Sequence, residues 1–423
     1  MVVYPDLIIK NIGLLATPEG NSALKGKEQG KITFIENAYI AVKGETIVGI
    51  GKESDYLTVD ENARAIDAGG RLVTPGLVDP HTHLVFSGWR QKELSLKLKG
   101  VSYLEILKMG GGILNTVRNT RRASLEELVT NGKKALDRML SHGTTTCEAK
   151  SGYGLNVEDE IKSLMAVKEL NKIQSVELVP TFLGAHAVPE EYRGKVGDYI
   201  KLINEEMIPV VARDNLAEFC DVFCEEGVFN VEESREILEC GKKYGLLPKV
   251  HADEMTPLGG AALAAEVCAI SADHLIHATD KGLEAMATKG VIAVLLPGTS
   301  FFLGEPFARA RDMINMEIPV ALATDFNPGS CPTESMQLIM NLACIKYRMT
   351  PEEVLTAATL NASAAIKRSK KIGTLEVGKQ ADIVIWDAED LDFIVYHFGT
   401  NLVNTVIKKG KIVLSKIWGE EEF

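Results

Sequence analysis

The chain has 423 residues, of which 46% are hydrophobic and 25% are charged, a composition typical of a globular enzyme. This length exceeds what one hydrophobic core usually supports, so we expect more than one domain. The formal net charge of −12 argues against nucleic acid or an anionic membrane as the main partner, although one local arginine can still bind a small anion.

The two ends of the chain share a β-rich pattern. Residues 1–76 contain short strand-like segments separated by turns, at 7–12 and in a predicted hairpin that joins 38–42 to 46–50. Residues 366–423 show the same pattern at 381–386 and 406–413. Because each end alone has too few strands to form a core, we predict one small β-sandwich domain built from both termini.

Residues 77–365 alternate between apolar runs and helical patterns. The eight apolar runs lie at 77–86, 144–149, 177–185, 219–224, 248–252, 274–278, 291–297 and 320–324. Helical spacing occurs at 124–141, 157–172, 231–244, 333–347 and 351–367, and capping boxes are predicted at Ser124/Glu127 and Thr350/Glu353. Strand alternating with helix eight times predicts an α/β fold, a (β/α)8 barrel of the TIM type.

Candidate metal ligands recur where the predicted barrel strands end. A lone His-x-His pair is common by chance, but in such a barrel the C-terminal strand ends all meet at one mouth. The residues placed there are His81 and His83 at strand one, His186 at strand three, His251 and Glu254 at strand five, His274 at strand six and Asp325 at strand eight. His142 precedes a strand and is expected at the opposite face. The sequence therefore predicts a metal site at the mouth.

This histidine and aspartate pattern resembles that of the amidohydrolase superfamily. The closer resemblance is to the imidazolonepropionase family within it, and it extends over essentially the whole chain. It rests on Pro-Gly-Leu-Val-Asp-Pro-His-Thr-His at 75–83, Lys-Ser-Gly-Tyr-Gly-Leu at 150–155, His-Ala-Asp-Glu at 251–254 and Thr-Asp-Phe-Asn-Pro-Gly-Ser at 324–330. The resemblance implies hydrolysis of 4-imidazolone-5-propanoate to N-formimidoyl-L-glutamate, the third step of histidine degradation.

The resemblance further implies one zinc or iron ion per subunit, held by His81, His83, His251 and Asp325. Three neutral imidazoles and one carboxylate suit either metal and leave a position for water. The alternative for Asp325 is a carboxylate that supports the ligands or caps a loop. A two-metal site normally needs a lysine or an acid at the end of strand four, a role that Glu225-Glu226 fits poorly, so a single ion is expected.

The resemblance also implies catalytic roles. Glu254 is expected to orient the attacking water and to carry its proton, and His274 to hydrogen-bond the attacked carbonyl or to share the proton with Asp325. His186 is expected to contact the ring or its oxygen as charge develops. The alternatives left open are a solvated loop acid for Glu254, a core histidine for His274 and a strand-end cap for His186.

Arg90 lies in a long, glycine-punctuated connection after strand one, which is typical of an active-site loop. By the resemblance it clamps the propionate arm of the substrate through two parallel hydrogen bonds. The other residues expected to bind the substrate are Tyr153, His186, Glu254, Asn327, Gly329 and Ser330. For the last three, ordinary turn chemistry around Pro328 is the alternative.

Two other functions stay open. Another amidohydrolase, such as a cytosine or guanine deaminase, has no need of a carboxylate clamp, so Arg90 argues against that reading. A non-catalytic binding relative could lose metal ligands freely, whereas all the expected ligands are present here.

The seven cysteines show no disulfide framework, and Cys220 and Cys224 are interpreted as buried strand thiols rather than as a metal pair. The first residues lack the features of a signal peptide, and no apolar run approaches the ~18 residues of a membrane span. We therefore expect a cytoplasmic enzyme that acts on a small molecule, with no nucleic-acid or membrane partner. By the resemblance, a homodimer is expected.

Overall fold

The computed structural model describes residues 4–56, 63–101, 105 and 109–416. Its strands are β1 (Leu7–Thr17), β2 (Thr33–Lys43), β3 (Thr46–Lys52), β4 (Arg64–Asp67), β5 (Leu72–Pro75), β6 (Leu77–Asp79), β7 (Thr144–Lys150), β8 (Glu177–Ala185), β9 (Phe219–Cys224), β10 (Leu247–Ala252), β11 (Ser271–His274), β12 (Ile292–Leu295), β13 (Val320–Leu322), β14 (Ile383–Trp386), β15 (Val403–Lys408) and β16 (Lys411–Ser415).

The helices are α1 (Gln91–Leu98), α2 (Ile113–Arg122), α3 (Leu125–Ser141), α4 (Val157–Ile173), α5 (Val196–Leu202), α6 (Ile208–Arg213), α7 (Val231–Lys243), α8 (Gly260–Glu266), α9 (Asp280–Lys289), α10 (Pro297–Leu303), α11 (Ala310–Asn315), α12 (Met336–Tyr347), α13 (Pro351–Ala358), α14 (Leu360–Ala365) and α15 (Leu391–Tyr396). Within the described ranges, none of these helices is long and apolar enough to cross a membrane.

Strands β6 to β13 form the predicted barrel. They pair in chain order, and each pair is parallel. The first and last strands are joined just beyond their ends, where the Asp325 amide donates to the His81 carbonyl at 3.0 Å and the His83 amide donates to the Phe326 carbonyl at 2.9 Å. The strands are buried on both faces, as in parallel sheets covered by helices. The closure places His81, His83 and Asp325 side by side.

The two ends of the chain are interleaved in a second sheet, as predicted. Its order is β16-β15-β14-β5-β1-β2-β3, with β4 beside β1, so that β14 lies between a strand from the C-terminal region and one from the N-terminal region. The Ile47 amide donates to the Lys379 carbonyl at 2.9 Å, which brings β3 to the segment that precedes β14. The sheet thus folds over one apolar cluster that includes Ile9, Ile40 and Ile385.

Three predicted element bounds are wrong. The first barrel strand ends at Asp79 instead of residue 86, because Pro80 has no amide hydrogen to continue the ladder. The sixth strand is Ser271–His274, upstream of the predicted 274–278. The helix predicted at 351–367 is broken at Thr359, whose φ of −129° and ψ of −86° are not helical. The domain boundaries at 76/77 and 365/366 stay a prediction, and Gly76 separates β5 of the terminal sheet from β6 of the barrel.

The predicted helix starts are confirmed at α3 and α13. Ser124 and Thr350 each accept a hydrogen bond from the amide three residues on, and Glu127 and Glu353 bond back to the cap amides. A third capping box, formed by Asn230 and Glu233 at α7, follows the same physical pattern. Each box satisfies amides that a helix start otherwise leaves without a partner.

Candidate metal centre and active site

Four of the predicted ligands converge at the mouth of the barrel. The Nε2 atoms of His81 and His83 each lie 3.5 Å from Asp325 Oδ1, and His251 Nε2 lies 3.4 Å from His83 Nε2. All four side chains are buried. Ligand atoms about 2.0–2.1 Å from one tetrahedral ion lie roughly 3.3–3.4 Å from each other. The ligand atoms of His81, His83 and Asp325 all lie within 4.8 Å of one another, which fits a small cation, and His251 adjoins this group through His83.

A buried nitrogen without a hydrogen-bond partner also supports a metal ion at this position. His81 Nε2 is buried and has no hydrogen-bond partner among the residues that the structure describes. A buried polar atom without a partner is costly, and a metal ion supplies the missing interaction. Asp325 adopts a left-handed φ of 55°, and Thr299 Oγ1 donates to its Oδ2 at 2.5 Å, which leaves Oδ1 facing the histidines. The sequence analysis did not find Thr299.

His274 and Glu254 adjoin this ligand set. His274 Nε2 lies 3.5 Å from Glu254 Oε2, and a nitrogen of His274 lies within 4.8 Å of ligand atoms of His81 and His251. His274 and Leu275 adopt left-handed φ values of 74° and 59°, backbone strain of the kind that collects at functional sites. By geometry alone, His274 can serve either as a further metal ligand or as a proton carrier.

Burial keeps four histidines of the site neutral. Burial lowers the pKa values of His81, His83 and His274 well below the ordinary value, and it lowers the pKa of His186 to about 3. A neutral imidazole has the lone pair that a metal needs. Burial, assisted by the nearby Asp325 carboxylate, raises the pKa of Glu254 well above its ordinary value.

Beneath the ligands lie charged side chains that the sequence analysis missed. His81 Nδ1 is 2.6 Å from Asp273 Oδ2, and His251 Nδ1 is 3.0 Å from Asp221 Oδ2. Lys150 Nζ lies 2.7 Å from the same Asp221 oxygen. A signal was present in the chain, because charged residues recur at alternate positions of apolar strands, as in Glu148 with Lys150. From the sequence alone, however, charged residues that pair inside the barrel show the same alternation as charged residues on an exposed strand face.

Tyr153 and His186 line one side of the site. Their ring centroids are 5.2 Å apart, and His186 stacks on His83 at 4.7 Å with an interplanar angle of 14°. His186 Nδ1 lies 2.9 Å from the Gly152 carbonyl oxygen. Since a carbonyl only accepts, the proton is on Nδ1, and Nε2 presents a lone pair. Glu160 accepts hydrogen bonds from several amides of the loop that carries Tyr153.

Arg90 lies against the loop that follows Asp325. Its Nε and Nη2 donate to Glu93 Oε2 at 3.0 and 2.9 Å, and Glu93 Oε1 accepts from the Gly112 amide at 2.8 Å. A Cβ at Gly329 would overlap Arg90 Nη1, so only glycine allows this approach. One edge of the guanidinium is therefore held by Glu93, and the Nη1 end faces Gly329.

The loop after Asp325 is folded by Asn327. Its Oδ1 accepts from the amides of Gly329 and Ser330 at 2.8 and 2.7 Å, while its Nδ2 donates to the Asp325 carbonyl and to Ser330 Oγ. These bonds are the turn chemistry that the sequence analysis weighed for Asn327 and Ser330. They also fix the loop where it meets Arg90.

Other predicted positions lie apart from this centre. Glu225 Oε2 accepts from the Met255 amide at 2.8 Å and holds the loop after β10. Cys220 and Cys224 are buried thiols of β9, as predicted, and burial raises the pKa of both. His142 caps the C-terminus of α3 just before β7, at the opposite face of the barrel.

Comparisons with known proteins agree with this arrangement. Residues 72–413 match the amidohydrolase family. An imidazolonepropionase from Alkaliphilus oremlandii (strain OhILAs) is 56% identical over 416 residues, covering 97% of this chain and 98% of that protein. An imidazolonepropionase from Alkaliphilus metalliredigens (strain QYMF) is 51% identical over 415 residues, covering 97% and 98%. A crystal structure of an adenosine deaminase from Xanthomonas campestris with bound zinc has a TM-score of 0.70 at 19% identity, covers 97% of this chain and 93% of that one, and shares the fold.

Proposed function

We propose a reaction for this chain, which belongs to the amidohydrolase family: hydrolysis of 4-imidazolone-5-propanoate to N-formimidoyl-L-glutamate, the third step of histidine degradation. The chain is a metal-dependent hydrolase that acts on the carbon–nitrogen bond of a cyclic amide. The observation that carries the proposal is the convergence of His81, His83, His251 and Asp325 beside a loop that contacts Arg90.

The metal is one zinc or iron ion held by His81, His83, His251 and Asp325. The spacing of His81, His83 and Asp325, the approach of His251 to His83 and the neutral state of His81 and His83 support this set. When bound, such an ion polarises a water molecule and lowers its pKa toward neutrality. A single ion is proposed because the ring of Phe223, whose centroid is 5.8 Å from that of His251, takes the place at the end of β9 and offers no ligand atom.

Glu254 and His274 move the protons. The water oxygen attacks the ring carbonyl carbon as Glu254 takes the water's proton, and a tetrahedral oxyanion forms. The ring carbon–nitrogen bond then breaks, and the leaving nitrogen takes that proton, directly or through His274. Burial raises the pKa of Glu254, as suits a carboxylate that accepts a proton and later returns it. The 3.5 Å separation of the two side chains allows the transfer.

Arg90 and the rings around His186 orient the substrate. The Nη1 end of Arg90 binds the propionate, since Glu93 already occupies the opposite edge of the guanidinium. His186 Nε2, with its lone pair, accepts from a ring N–H instead of donating to the ring oxygen. Tyr153 packs on the ring, and the Asn327–Ser330 loop closes the site beside Arg90.

The chain is further proposed to work as a homodimer in the cytoplasm, with no nucleic-acid or membrane partner. All seven cysteines are free in the structure, and free thiols are usual for proteins of a reducing compartment. Size-exclusion chromatography with light scattering tests the dimer, and a monomer at micromolar concentration would contradict it.

The reaction is tested by metal analysis of purified protein beside an ultraviolet assay of imidazolone disappearance. We expect one zinc or iron per chain and N-formimidoyl-L-glutamate by mass spectrometry. Cytosine, guanine and adenosine serve as controls, and ammonia release from any of these at a comparable rate would point to a deaminase. His251→Ala is expected to lose metal and turnover while retaining its circular dichroism spectrum. Full metal content with normal turnover in that variant would remove His251 from the site.

A further inference from the structure

The barrel interior beneath the metal ligands is filled by five charged side chains. Two of them lie on β7 and one each on the neighbouring strands β9, β10 and β11, and none has exposed surface. These residues are Glu148, Lys150, Asp221, Lys249 and Asp273. Burying charges is costly unless they are paired and hydrogen-bonded. A group of five at one level of a barrel therefore calls for an explanation beyond packing.

The charges are closely paired. Lys150 Nζ lies 2.7 Å from Asp221 and 2.8 Å from Glu148, and Lys249 Nζ lies 2.8 Å from the other oxygen of Glu148. Both ammonium groups are 3.7 Å from Asp273 Oδ2. The carboxylates of Asp221, Glu148 and Asp273 raise the pKa of Lys150 despite its burial. Two cations thus balance most of the charge of three carboxylates.

Two of these carboxylates also touch metal ligands on the side away from the metal. Asp273 Oδ2 is 2.6 Å from His81 Nδ1, and its Oδ1 accepts from Ser271 Oγ at 2.6 Å. Asp221 Oδ2 is 3.0 Å from His251 Nδ1. Because a carboxylate only accepts, the His81 contact places the proton of that imidazole on Nδ1 and turns its Nε2 lone pair to the mouth. The His251 contact is an approach of Asp221 to Nδ1 without a hydrogen bond.

We propose that Asp273 and Asp221 are positioning residues for the metal, and that the two lysines hold these carboxylates in place. This inference rests on the metal site proposed above. A carboxylate behind a ligating histidine fixes the tautomer and ring orientation and raises the basicity of the ligand. Lys150 donates to Asp221, and both lysines lie 3.7 Å from Asp273 Oδ2, so that buried cations hold the two carboxylates in place behind the histidines.

The test is a metal-affinity measurement on protein stripped by a chelator. Zn²⁺ is titrated against a competing indicator, and the wild-type chain is expected to bind one equivalent. Asp273→Asn is expected to bind 10–100-fold more weakly, the usual cost of losing such a partner. Asp221→Asn is expected to fall in the same range. Equal affinity of Asp273→Asn and wild type would overturn the inference, while absence of zinc binding by the wild-type chain would instead refute the proposed metal site.

Asp253→Asn is the matched control. Asp253 is a buried acid near His251, but its carboxylate accepts from the amides of Gly259, Gly260 and Ala261 and caps α8. Asparagine tolerates its left-handed φ of 50°. The zinc affinity of Asp253→Asn should equal that of the wild type. If all three variants lose zinc affinity equally, the loss in Asp273→Asn reflects general destabilisation of the protein and not a positioning role.

A second readout follows the proton itself. In zinc-loaded protein labelled with ¹⁵N-histidine, His81 should show a protected Nδ1–H signal that moves or disappears in Asp273→Asn and persists in Asp253→Asn. Should Asp273→Asn fail to fold, Ser271→Ala replaces it, because it frees Asp273 Oδ1 without removing charge. A few-fold loss of zinc affinity in Ser271→Ala supports the inference, and an unchanged affinity together with an unchanged Nδ1–H signal contradicts it.

Discussion

Glu254 is the residue proposed to carry the proton of the attacking water. It follows the proposed metal ligand His251 by three residues, and its mostly buried carboxylate lies 3.5 Å from His274. Glu254→Gln keeps the shape and removes the base, so we expect kcat to fall by about 10²–10⁴-fold while metal content and ligand affinity hold. Steady-state kinetics with metal analysis checks this.

The matched control is Glu226→Gln, which changes an exposed acid on the loop after β9 and should leave kcat unaltered. If Glu254→Gln turns over at the wild-type rate, the proton is carried elsewhere, and His274→Asn becomes the variant to measure.

Arg90 is expected to set specificity through the arm of the substrate. A lysine cannot reproduce a two-pronged hydrogen bond to a carboxylate, and it would also lose the bonds that Glu93 makes with Nε and Nη2. Arg90→Lys should raise KM for the propionate substrate more than it lowers kcat, with some loss of kcat because the arm also positions the ring.

The comparison substrate is an analogue in which a neutral amide replaces the carboxylate, and for it the effect of Arg90→Lys should shrink. Arg118→Lys is the control, because that arginine pairs with Glu190 on the surface. Equal weakening of the acid and the amide would show that Arg90 is not the carboxylate clamp.

At the scale of single residues, the sequence predicted the side chains that converge at the mouth of the barrel and missed the charged ones beneath them. His81, His251 and Asp325 could be predicted because each follows an apolar run, and strand ends meet at the mouth of a barrel. Asp273 and Lys150 could not, because a buried charge is recognisable only from the partner that pairs with it, and those partners come from distant strands. Thr299 donates one hydrogen bond to Asp325, and no sequence motif marks a threonine that makes such a contact.

At the scale of elements, helix starts were predictable wherever capping chemistry is local. The reciprocal hydrogen bonds between Ser124 and Glu127 involve residues within one helical turn, so the residue types at positions 124–127 are enough to predict the helix start. Strand ends were less predictable. Pro80 is a local reason for the end of β6, but the bounds of β11 depend on where the neighbouring strands β10 and β12 pair with it, which is a property of the closed barrel rather than of the segment.

The cap of α3 gives a stability prediction. Ser124→Ala removes the side-chain acceptor for the Glu127 amide but keeps the backbone amide that donates to the Glu127 carboxylate, so we expect a loss of about 1 kcal/mol in the free energy of unfolding. Urea denaturation measures it. Kinetic constants should not change, because Ser124 is exposed on the outer helical layer.

Ser124→Asp is the control, since aspartate caps as well as serine does. A loss in Ser124→Asp as large as that in Ser124→Ala would mean that the reciprocal hydrogen bonds contribute nothing at this helix start.

At the scale of the whole molecule, the barrel and the terminal sheet meet at Glu177, the first residue of β8. Its carboxylate lies 3.6–3.9 Å from four basic side chains that belong to the C-terminal part of the chain: Arg368, Lys371, Lys408 and Lys409. The terminal sheet was predictable because both ends carry strand patterns, but this junction was not, since Glu177 begins an apolar strand and its partners lie about 190 residues away or more.

Glu177→Gln should therefore weaken the molecule in a pH-dependent way. Burial raises the pKa of Glu177, but the attraction of Lys408, Lys371 and the other two cations outweighs it and holds the pKa below its ordinary value. A lowered pKa in the folded state contributes stability that is present above the unfolded value of about 4.3 and is lost as pH falls through the folded value. At pH 7 the variant should lose about 1 kcal/mol, the upper range for a partly exposed ion pair.

The difference between wild type and Glu177→Gln should begin to close below the unfolded value of about 4.3 and should vanish once the pH is below the lowered folded pKa, where the wild-type carboxyl is protonated as well. Urea denaturation at several pH values between 3 and 8 measures it. Glu218→Gln is the matched control, since that more exposed acid bonds Arg368 alone and should cost less. A difference that stays constant across the range would mean that Glu177 acts by packing, and the charge cluster would then not be what joins the terminal sheet to the barrel.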